Sequence, residues 1–330
     1  MTIDMTALQN QSRLLFAIPL MPIQGQRFQP TGFPNLGAAT FSSPQGDCLL
    51  VESAQSMANR LEMTIWDHAD YDVIDAVKGI SHVRVERNEN GASRFLTDSI
   101  IEAHRLNSPY ILEGKDKTFF NQIREEVGAM EQGVIDRRKL TEVLLKYDAG
   151  SLLHGIFLAK KDLAGGRLRL SRSLSAFIEA KGVQIAASGG VKNDAVNPSG
   201  NTKKGFGNVP FARDEFTANE ITLFANIDLA QIRGYGLDDT VTHMLISMAL
   251  LKLRKLIDTD MRLRTACDFV VAADQIAATN VSGFLLPSLD ELTARVSVLV
   301  DESRDKMAVT TVMFNDKLEK SKEADDQGDA

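Results

Sequence analysis

Segments with strand and helix periodicity alternate irregularly along this chain and are separated by long polar inserts. The strand candidates alternate with a period of two or form short branched apolar runs, as at 14–23 and 221–229. The clearest helix candidates repeat apolar residues every three or four positions, at about 238–258 and 289–302. A doubly wound sheet needs a regular alternation of strands and helices, so this pattern favours an α+β fold with a split βαβ sheet.

Shorter elements are predicted between these segments. The strand predictions lie at 81–87, 151–159, 167–171 and 268–273, and the helix predictions lie at 50–65, 97–106, 119–130, 136–145 and 174–180. No internal repeat and no Pro/Ser-rich linker divides the sequence. One elaborated domain is therefore predicted over 1–318, with a glycine-rich basic insertion at 183–212 and a disordered acidic tail at 319–330.

The composition is that of an ordinary globular protein, with 44% hydrophobic and 25% charged residues among 330. No apolar run approaches the roughly 18 residues of a membrane span, and the N-terminus has no signal-peptide pattern. These features predict a cytoplasmic protein. The net charge of −7 argues against coating nucleic acid by charge alone, but residues 160–204 contain nine basic and three acidic residues, a local balance of +6.

The patterns of metal, cofactor and catalytic sites are absent from this sequence. None of the five histidines pairs with another at ligand spacing, and HExxH, CxxC and GxSxG do not occur. A helix carrying His104 and Arg105 is more typical of a polar face than of acid–base catalysis, and His154 is more typical of a core histidine. We therefore predict no catalytic residue, no metal and no cofactor.

Two neighbouring segments instead have the composition of a phosphate-binding surface. GQRFQPTGFPNLGAATF at 25–41 is too rich in glycine and proline to be helix or strand, and ESAQSMANRLE at 52–62 has helical spacing. The polar residues of the second segment are Ser53, Gln55, Ser56, Asn59, Arg60 and Glu62. Solvated helix faces usually carry Glu and Lys, whereas short polar side chains and arginine donate hydrogen bonds to phosphate oxygens. The alternative interpretation is a solvated face on which Arg60 pairs with Ser56 or Glu62.

The pair PIQGQRFQPTGFPNLGAATF (22–41) and LLVESAQSMANRLE (49–62) resembles the backbone subunit of type I CRISPR surveillance complexes, known as Cascade. The resemblance is to the subtype I-U, or I-G, variant of the Cas-seven family. It continues through TDSIIEAHRL, LSRSLSAFIEA and ANEITLFANIDLAQIRGYGL. It implies a modified RRM or ferredoxin-like palm of the RAMP type with inserted finger and thumb-hairpin elements. Several copies of such a subunit polymerise along one guide RNA in antiviral defence.

The resemblance also implies partners and RNA-contacting residues. The partners are crRNA, target DNA through the guide, other copies of the chain in a helical filament, other Cascade subunits and a recruited helicase-nuclease. The implied RNA-contacting residues are Gln24, Arg27, Ser53, Gln55, Ser56, Asn59, Arg60, Arg105, Lys192, Lys203 and Lys204, the three lysines lying on the thumb or a loop over nucleic acid. A subunit that accepts any spacer should grip phosphates and 2′-hydroxyls and leave base edges free.

Aromatic stacking is not the first mechanism expected, because the RNA-recognition motif K/R-G-F/Y-G/A-F-V-x-F/Y is absent. Phe28 and Phe33 are more typical of loop residues that pack onto their own core. Two rival functions remain open. One is a metal-independent endoribonuclease that matures crRNA with His104 or His82 beside a lysine or arginine. The other is a small-molecule or nucleotide binder that uses the SGGVK segment at Gly189 and Gly190.

Overall fold

A computed structural model describes residues 5–32, 37–44, 46–259 and 261–317. The strands are β1 (Leu14–Pro22), β2 (Ala39–Ser43), β3 (Gly46–Glu52), β4 (Trp66–Asp67), β5 (Asp72–Val73), β6 (His82–Glu89), β7 (Ala92–Asp98), β8 (Ile156–Leu158), β9 (Leu168–Leu170), β10 (Leu174–Lys181), β11 (Gln184–Lys192), β12 (Val209–Thr217), β13 (Glu220–Ile227), β14 (Met261–Arg264), β15 (Cys267–Val271) and β16 (Val309–Met313). The helices are α1 (Ala54–Met63), α2 (Pro109–Leu112), α3 (Thr118–Gly128), α4 (Arg137–Tyr147), α5 (Gly150–His154), α6 (Leu229–Arg233), α7 (Asp239–Asp258) and α8 (Leu289–Glu302). Phe33 and the tail at 319–330 lie outside the described residues.

The largest sheet is antiparallel and has the strand order β14-β15-β1-β13-β10-β3-β2. Within it, β1, α1, β10, β13, α7 and β15 follow one another along the chain as β-α-β-β-α-β. β13 lies between β1 and β10 and is antiparallel to both, which is the split βαβ arrangement. The mixed composition and this antiparallel sheet agree with the predicted α+β class.

One face of the sheet carries the core. Alternate residues of its central strands, such as Phe16, Ile178 and Leu223, are buried beneath α1 and α7. α7 is apolar on almost every side through Leu253, and it is buried because it packs against the sheet, α1 and α8. The opposite face is more open and carries the stacked ring pair of Phe177 and Phe224, whose centroids lie 5.3 Å apart.

The inserts form two further parts of the molecule. A three-stranded sheet, ordered β16-β6-β7, pairs the C-terminal β16 in parallel with β6, and helices α2 to α5 follow β7 along the chain. An antiparallel ribbon of β11 and β12 extends from β10 and β13, with register pairs running from Gln184–Thr217 to Lys192–Val209. This ribbon occupies the predicted insertion at 183–212 and continues to Thr217. Most of its side chains are exposed.

Several local predictions are wrong, and tertiary pairing explains each case. The segment predicted as a helix at 174–180 is β10, which is hydrogen-bonded on both sides, to β13 and to β3. Long-range pairing therefore overrides its local pattern. The helix predicted at 50–65 is shorter because Leu50 and Val51 complete β3. The last two residues of β7, a series of turns and the start of a 3₁₀ helix at Arg105–Asn107 occupy 97–106, where the sequence predicts an α-helix.

The predicted buried strand at 151–159 is also wrong in its first half. Residues up to His154 form α5, and β8 begins only at Ile156. Gly155 separates the two elements with a φ of 76°. A Cβ at this position would lie 2.8 Å from the carbonyl oxygen of Leu170, so the sharp change of direction requires glycine.

Candidate nucleic-acid interface

Helix α1 presents short polar side chains because its other face is anchored in the core. It begins after Ser53, whose hydroxyl accepts a hydrogen bond from the Ser56 amide at 3.2 Å. Met57, Ala58 and Leu61 are buried. The helical repeat therefore leaves Gln55 and Asn59 exposed and Ser56 partly exposed.

Arg60 joins α1 to β14 instead of pairing with Ser56 or Glu62. Its guanidinium donates to the carbonyl oxygens of Leu263 at 2.6 Å and Arg262 at 3.4 Å. Its Nε lies 3.4 Å from Oε1 of Glu52. The side chain remains about a quarter exposed, at 27%, and with Ser56 and Asn59 it lines a groove of about 490 Å³ between α1 and β14.

Glu52 reaches Arg60 because of an irregularity at the end of β3. The register between β3 and β10 shifts between Ile178 and Glu179, which face Glu52 and Leu50 respectively. This bulge turns the Glu52 side chain towards the helix side of the sheet, where it is fully buried. Neither of its carboxylate oxygens has a hydrogen-bond partner among the described residues. Arg60 is therefore the nearby cation that offsets this buried charge.

The loop that follows β1 is fastened to the same part of the molecule. Phe28 is buried, exchanges backbone hydrogen bonds with Phe216 at 2.8 and 2.9 Å, and packs edge-on against Phe269. The prediction that Phe28 packs onto its own core is confirmed. Because the backbone is fixed at this point, Gln24 and Arg27 project from an anchored loop and are exposed. They line a cleft of about 500 Å³, with Arg27 3.7 Å from Glu215.

Strand β14 connects this loop to α1 and adds two arginines that the sequence reasoning missed. Met261 and Leu263 are buried, so the alternation in MRLR directs Arg262 and Arg264 outward. Arg262 is 73% exposed, and Arg264 donates to the carbonyl oxygen of Pro30 in the loop at 3.3 Å. We refer to the surface formed by residues 24–27, α1 and β14 as the α1–β14 groove. The two-residue alternation of MRLR was the sequence signal that could have identified these arginines.

The sequence that includes this loop and helix also shows to which family the chain belongs. The family described as CRISPR-associated protein GSU0053 matches residues 14–185, which include the loop after β1 and all of α1. The chain belongs to this CRISPR-associated family. The resemblance to CRISPR proteins inferred from the two motifs is thereby confirmed at the level of the family.

Two solved structures are similar to this GSU0053-family protein at low identity. One, described as "CRISPR RNA-guided surveillance complex, pre-nicking", has 13% identity and a TM-score of 0.38 and covers 80% of this chain and 76% of its own. The other, "Crystal structure of Thermofilum pendens Csc2", has 7% identity and a TM-score of 0.32 and covers 92% and 82%. No curated protein matches the chain.

The remaining predicted RNA-contacting residues of this GSU0053-family protein lie elsewhere. Arg105 is only 7% exposed, and its Nε and Nη2 contact the two oxygens of Glu62 at 2.5 and 2.7 Å. Burial raises the pKa of Glu62 in spite of this arginine. Arg105 is therefore enclosed within the protein and is not part of the α1–β14 groove. Lys192 lies at the far end of the ribbon, and Lys203 and Lys204 lie in its connecting loop, all three exposed.

The histidines of the ribonuclease alternative occupy different environments. His82 is buried, and its Nδ1 lies 2.6 Å from Oδ2 of Asp98. Burial disfavours its charged form, but the hydrogen bond to Asp98 and the charge of that carboxylate outweigh this effect and raise the pKa of His82. A side chain enclosed in this way does not reach a phosphodiester at the surface. His104 is exposed.

The glycine pair of the nucleotide-binding alternative lies inside β11. Gly189 and Gly190 face Ala212 and Phe211 across the ribbon. A phosphate loop instead connects a strand to a helix N-terminus and leaves its backbone amides free. Among the described residues, no group of three or more His, Cys, Asp or Glu is arranged to hold a metal ion. Within the same part of the chain, no helix has the length and apolar surface needed to cross a bilayer.

Proposed function

We propose that this protein is the crRNA-binding backbone subunit of a type I CRISPR surveillance complex, of the I-U (I-G) variant of the Cas-seven family. The observation that carries the proposal is that hydrogen bonds join β14 both to α1 and to the loop after β1, so that the groove beside α1 and the cleft at the loop lie on connected elements. This surface presents Arg27, Asn59, Arg60 and Arg262, with Ser56 in the first turn of α1. Arginine and short polar groups bind phosphates and 2′-hydroxyls without reading bases. A guide RNA of any sequence can therefore lie in the groove.

The topology supports the same proposal. The split βαβ core fits an RRM-like palm, the β11–β12 ribbon fits a thumb hairpin, and the insert between α1 and β10 fits the finger. We propose that copies associate head to tail along the guide in the cytoplasm, with the RNA length limiting the assembly. The other proposed partners are the remaining Cascade subunits, target DNA paired with the guide, and a helicase-nuclease.

Co-expression with a repeat–spacer array tests RNA binding directly. The purified protein should carry discrete RNA and show a high absorbance ratio at 260 over 280 nm. Asn59→Ala should weaken binding two- to tenfold, which is the usual net effect of one hydrogen bond. The loss should be equal for unrelated spacers, because backbone contacts carry no sequence information.

Asn121→Ala is the matched control, because Asn121 lies on α3, outside the α1–β14 groove. It should leave RNA affinity unchanged. A loss for Asn59→Ala that depends on the spacer would contradict a backbone-binding groove. A protein that carries no RNA after co-expression would contradict the function as a whole.

We also propose that the protein binds guide RNA without cutting it. Purified protein incubated with repeat RNA should leave the RNA intact, as judged on a denaturing gel. Cleavage that disappears in His104→Ala would contradict this proposal and favour the ribonuclease alternative, because His104 is exposed.

A further inference from the structure

The β8–β9 hairpin places an exposed aromatic ring beside an exposed guanidinium. Phe157 and Arg169 face each other directly across the two strands, so their side chains emerge on the same side. Leu158 and Leu168 point the other way and are buried. Phe157 is 53% exposed although its strand neighbours Ile156 and Leu158 pack into the core. The outer side of this hairpin therefore offers a flat apolar ring with a cation next to it.

Arg172 fixes this hairpin against the start of α1. Its guanidinium donates to the carbonyl oxygens of Ala54 at 3.2 Å and His154 at 3.3 Å, and to the side-chain oxygen of Gln55. His154 precedes β8 by two residues, and Arg172 follows β9 by two. One side chain thus ties both ends of the hairpin to the first turn of the helix that lines the α1–β14 groove.

The segment that contains the hairpin is strongly basic. Residues 160–172 contain five basic residues and one acid, Asp162, a balance of +4. Some of these cations have structural partners: Lys160 pairs with Glu113, and Arg167 donates to two backbone carbonyls. Lys161 and Arg169 are exposed and form no ion pair within the described part of the chain. Their charge is available to a ligand, and its sign favours a polyanion.

We propose that the exposed side of the β8–β9 hairpin is a second guide-RNA contact, placed where the RNA leaves the N-terminal end of α1. Phe157 stacks on one base, and Arg169 and Lys161 bind the adjoining phosphates. Stacking suits a guide of arbitrary sequence, because every base has a π-face. The hairpin lies beside the first turn of α1, along which the guide RNA is proposed to run, so the guide RNA is the nucleic acid that would reach it. This inference rests on the proposed function and adds to it a base contact through an aromatic ring.

Four substitutions test the proposal. Phe157→Leu removes the ring but keeps an apolar side chain, and Phe157→Trp keeps an aromatic surface. Arg169→Gln removes one cation. Arg94→Gln is the matched control, because Arg94 is a 69% exposed arginine on β7, in the three-stranded sheet. Each protein is titrated with fluorescently labelled single-stranded RNAs of unrelated sequence at several salt concentrations, and with DNA of the same sequences.

The expected results differ between the ring and the cation. Phe157→Leu should lower RNA affinity about five- to 100-fold with an unchanged salt dependence, and Phe157→Trp should restore it. Arg169→Gln should reduce the slope of log affinity against log salt by about 0.7, which corresponds to one phosphate contact on a single strand. Arg94→Gln should bind as the wild type does.

The outcomes separate this inference from the function on which it rests. If Phe157→Leu binds RNA like the wild type while Asn59→Ala binds weakly, the hairpin proposal is overturned and the proposed function stands. A Phe157→Leu defect confined to DNA, or to association with a protein, also overturns it. If the wild type binds no RNA at all, both fail together.

Discussion

Arg105 is buried together with Glu62, the carboxylate that it contacts. This burial determines how a substitution of Arg105 should change the stability of the protein. Both oxygens of Glu62 accept hydrogen bonds from its guanidinium, and both residues are buried. Removing one partner of a buried pair leaves an uncompensated charge, which typically costs about 3–5 kcal/mol. We expect Arg105→Leu to lower the free energy of unfolding by about this amount, measured by urea denaturation.

The double variant Glu62→Leu, Arg105→Leu is the control for this prediction. It removes both charges, so it should recover much of the stability lost in the single variant. The sequence-based prediction that Arg105 contacts RNA would instead be supported if Arg105→Leu kept its stability and lost RNA affinity. The measurement therefore distinguishes a structural cation from a phosphate-binding one.

Lys252 gives the core a pH-dependent stability. It is buried on α7, its Nζ lies 2.8 Å from Nε2 of His154, and burial lowers its pKa from 10.5 to about 8. Between pH 8 and 10.5 the unfolded chain binds more protons at this lysine than the folded chain does. The contribution of Lys252 to the free energy of unfolding must therefore rise with pH in this window and stay constant below it.

Lys252→Met should remove this pH dependence. The advantage of the variant over the wild type should be largest at pH 7 and should shrink by about 3 kcal/mol towards pH 10.5, measured by denaturation at each pH. Burial raises the pKa of Cys267 to about 12, which has the opposite effect on stability above pH 9. That effect is present in both proteins and cancels in the difference. A difference that does not change with pH would show that burial leaves the pKa of Lys252 unshifted, so that the lysine carries its proton in the folded protein throughout this window.

At the scale of elements, the effect of the α1 cap on stability can be measured separately from the effect of α1 on RNA binding. Ser53 caps α1, and Ser288 caps α8 through a capping box with Glu291. Ser53→Ala and Ser288→Ala should each cost about 0.5–2 kcal/mol of stability, measured by thermal or urea unfolding. Only Ser53→Ala should also weaken RNA binding, because α8 is not part of the α1–β14 groove. Equal RNA affinity in the two variants would argue against a role of α1 in binding.

Elements with a strong local signal were predictable from sequence. Helices α7 and α8 follow from long apolar periodicity, and β13 follows from its four alternating apolar residues. β10 was mistaken for a helix because its strand character depends on β13 and β3, which are distant in sequence. The placement of Gln55 and Asn59 on the exposed side of α1 also followed from local periodicity. The burial of Arg105 did not, because its partner Glu62 is 43 residues away.

At the scale of the whole molecule, the core elements are assembled across long inserts. β1 and its neighbour β13 are separated by the whole insert between α1 and β10 and by the β11–β12 ribbon, so no local pattern predicts that they pair. The residues of the α1–β14 groove likewise come from the two ends of the chain, since β14 follows α7. This separation is why Arg262 and Arg264 were missed although the first two motifs identified the rest of the groove.

The β11–β12 ribbon leads to a prediction about assembly along the guide. Its apolar side chains Ile185, Val191 and Phe211 are exposed, which is typical of a surface that another chain covers. We expect the number of bound copies to rise in steps as the RNA is lengthened, measured by native mass spectrometry.

Replacing 189–212 by Asn-Gly should leave one copy per short RNA and reduce multiple binding on long RNA. The seven-stranded sheet should still fold, because the backbone hydrogen bonds between Phe28 and Phe216 remain. One copy on every RNA length would contradict the filament.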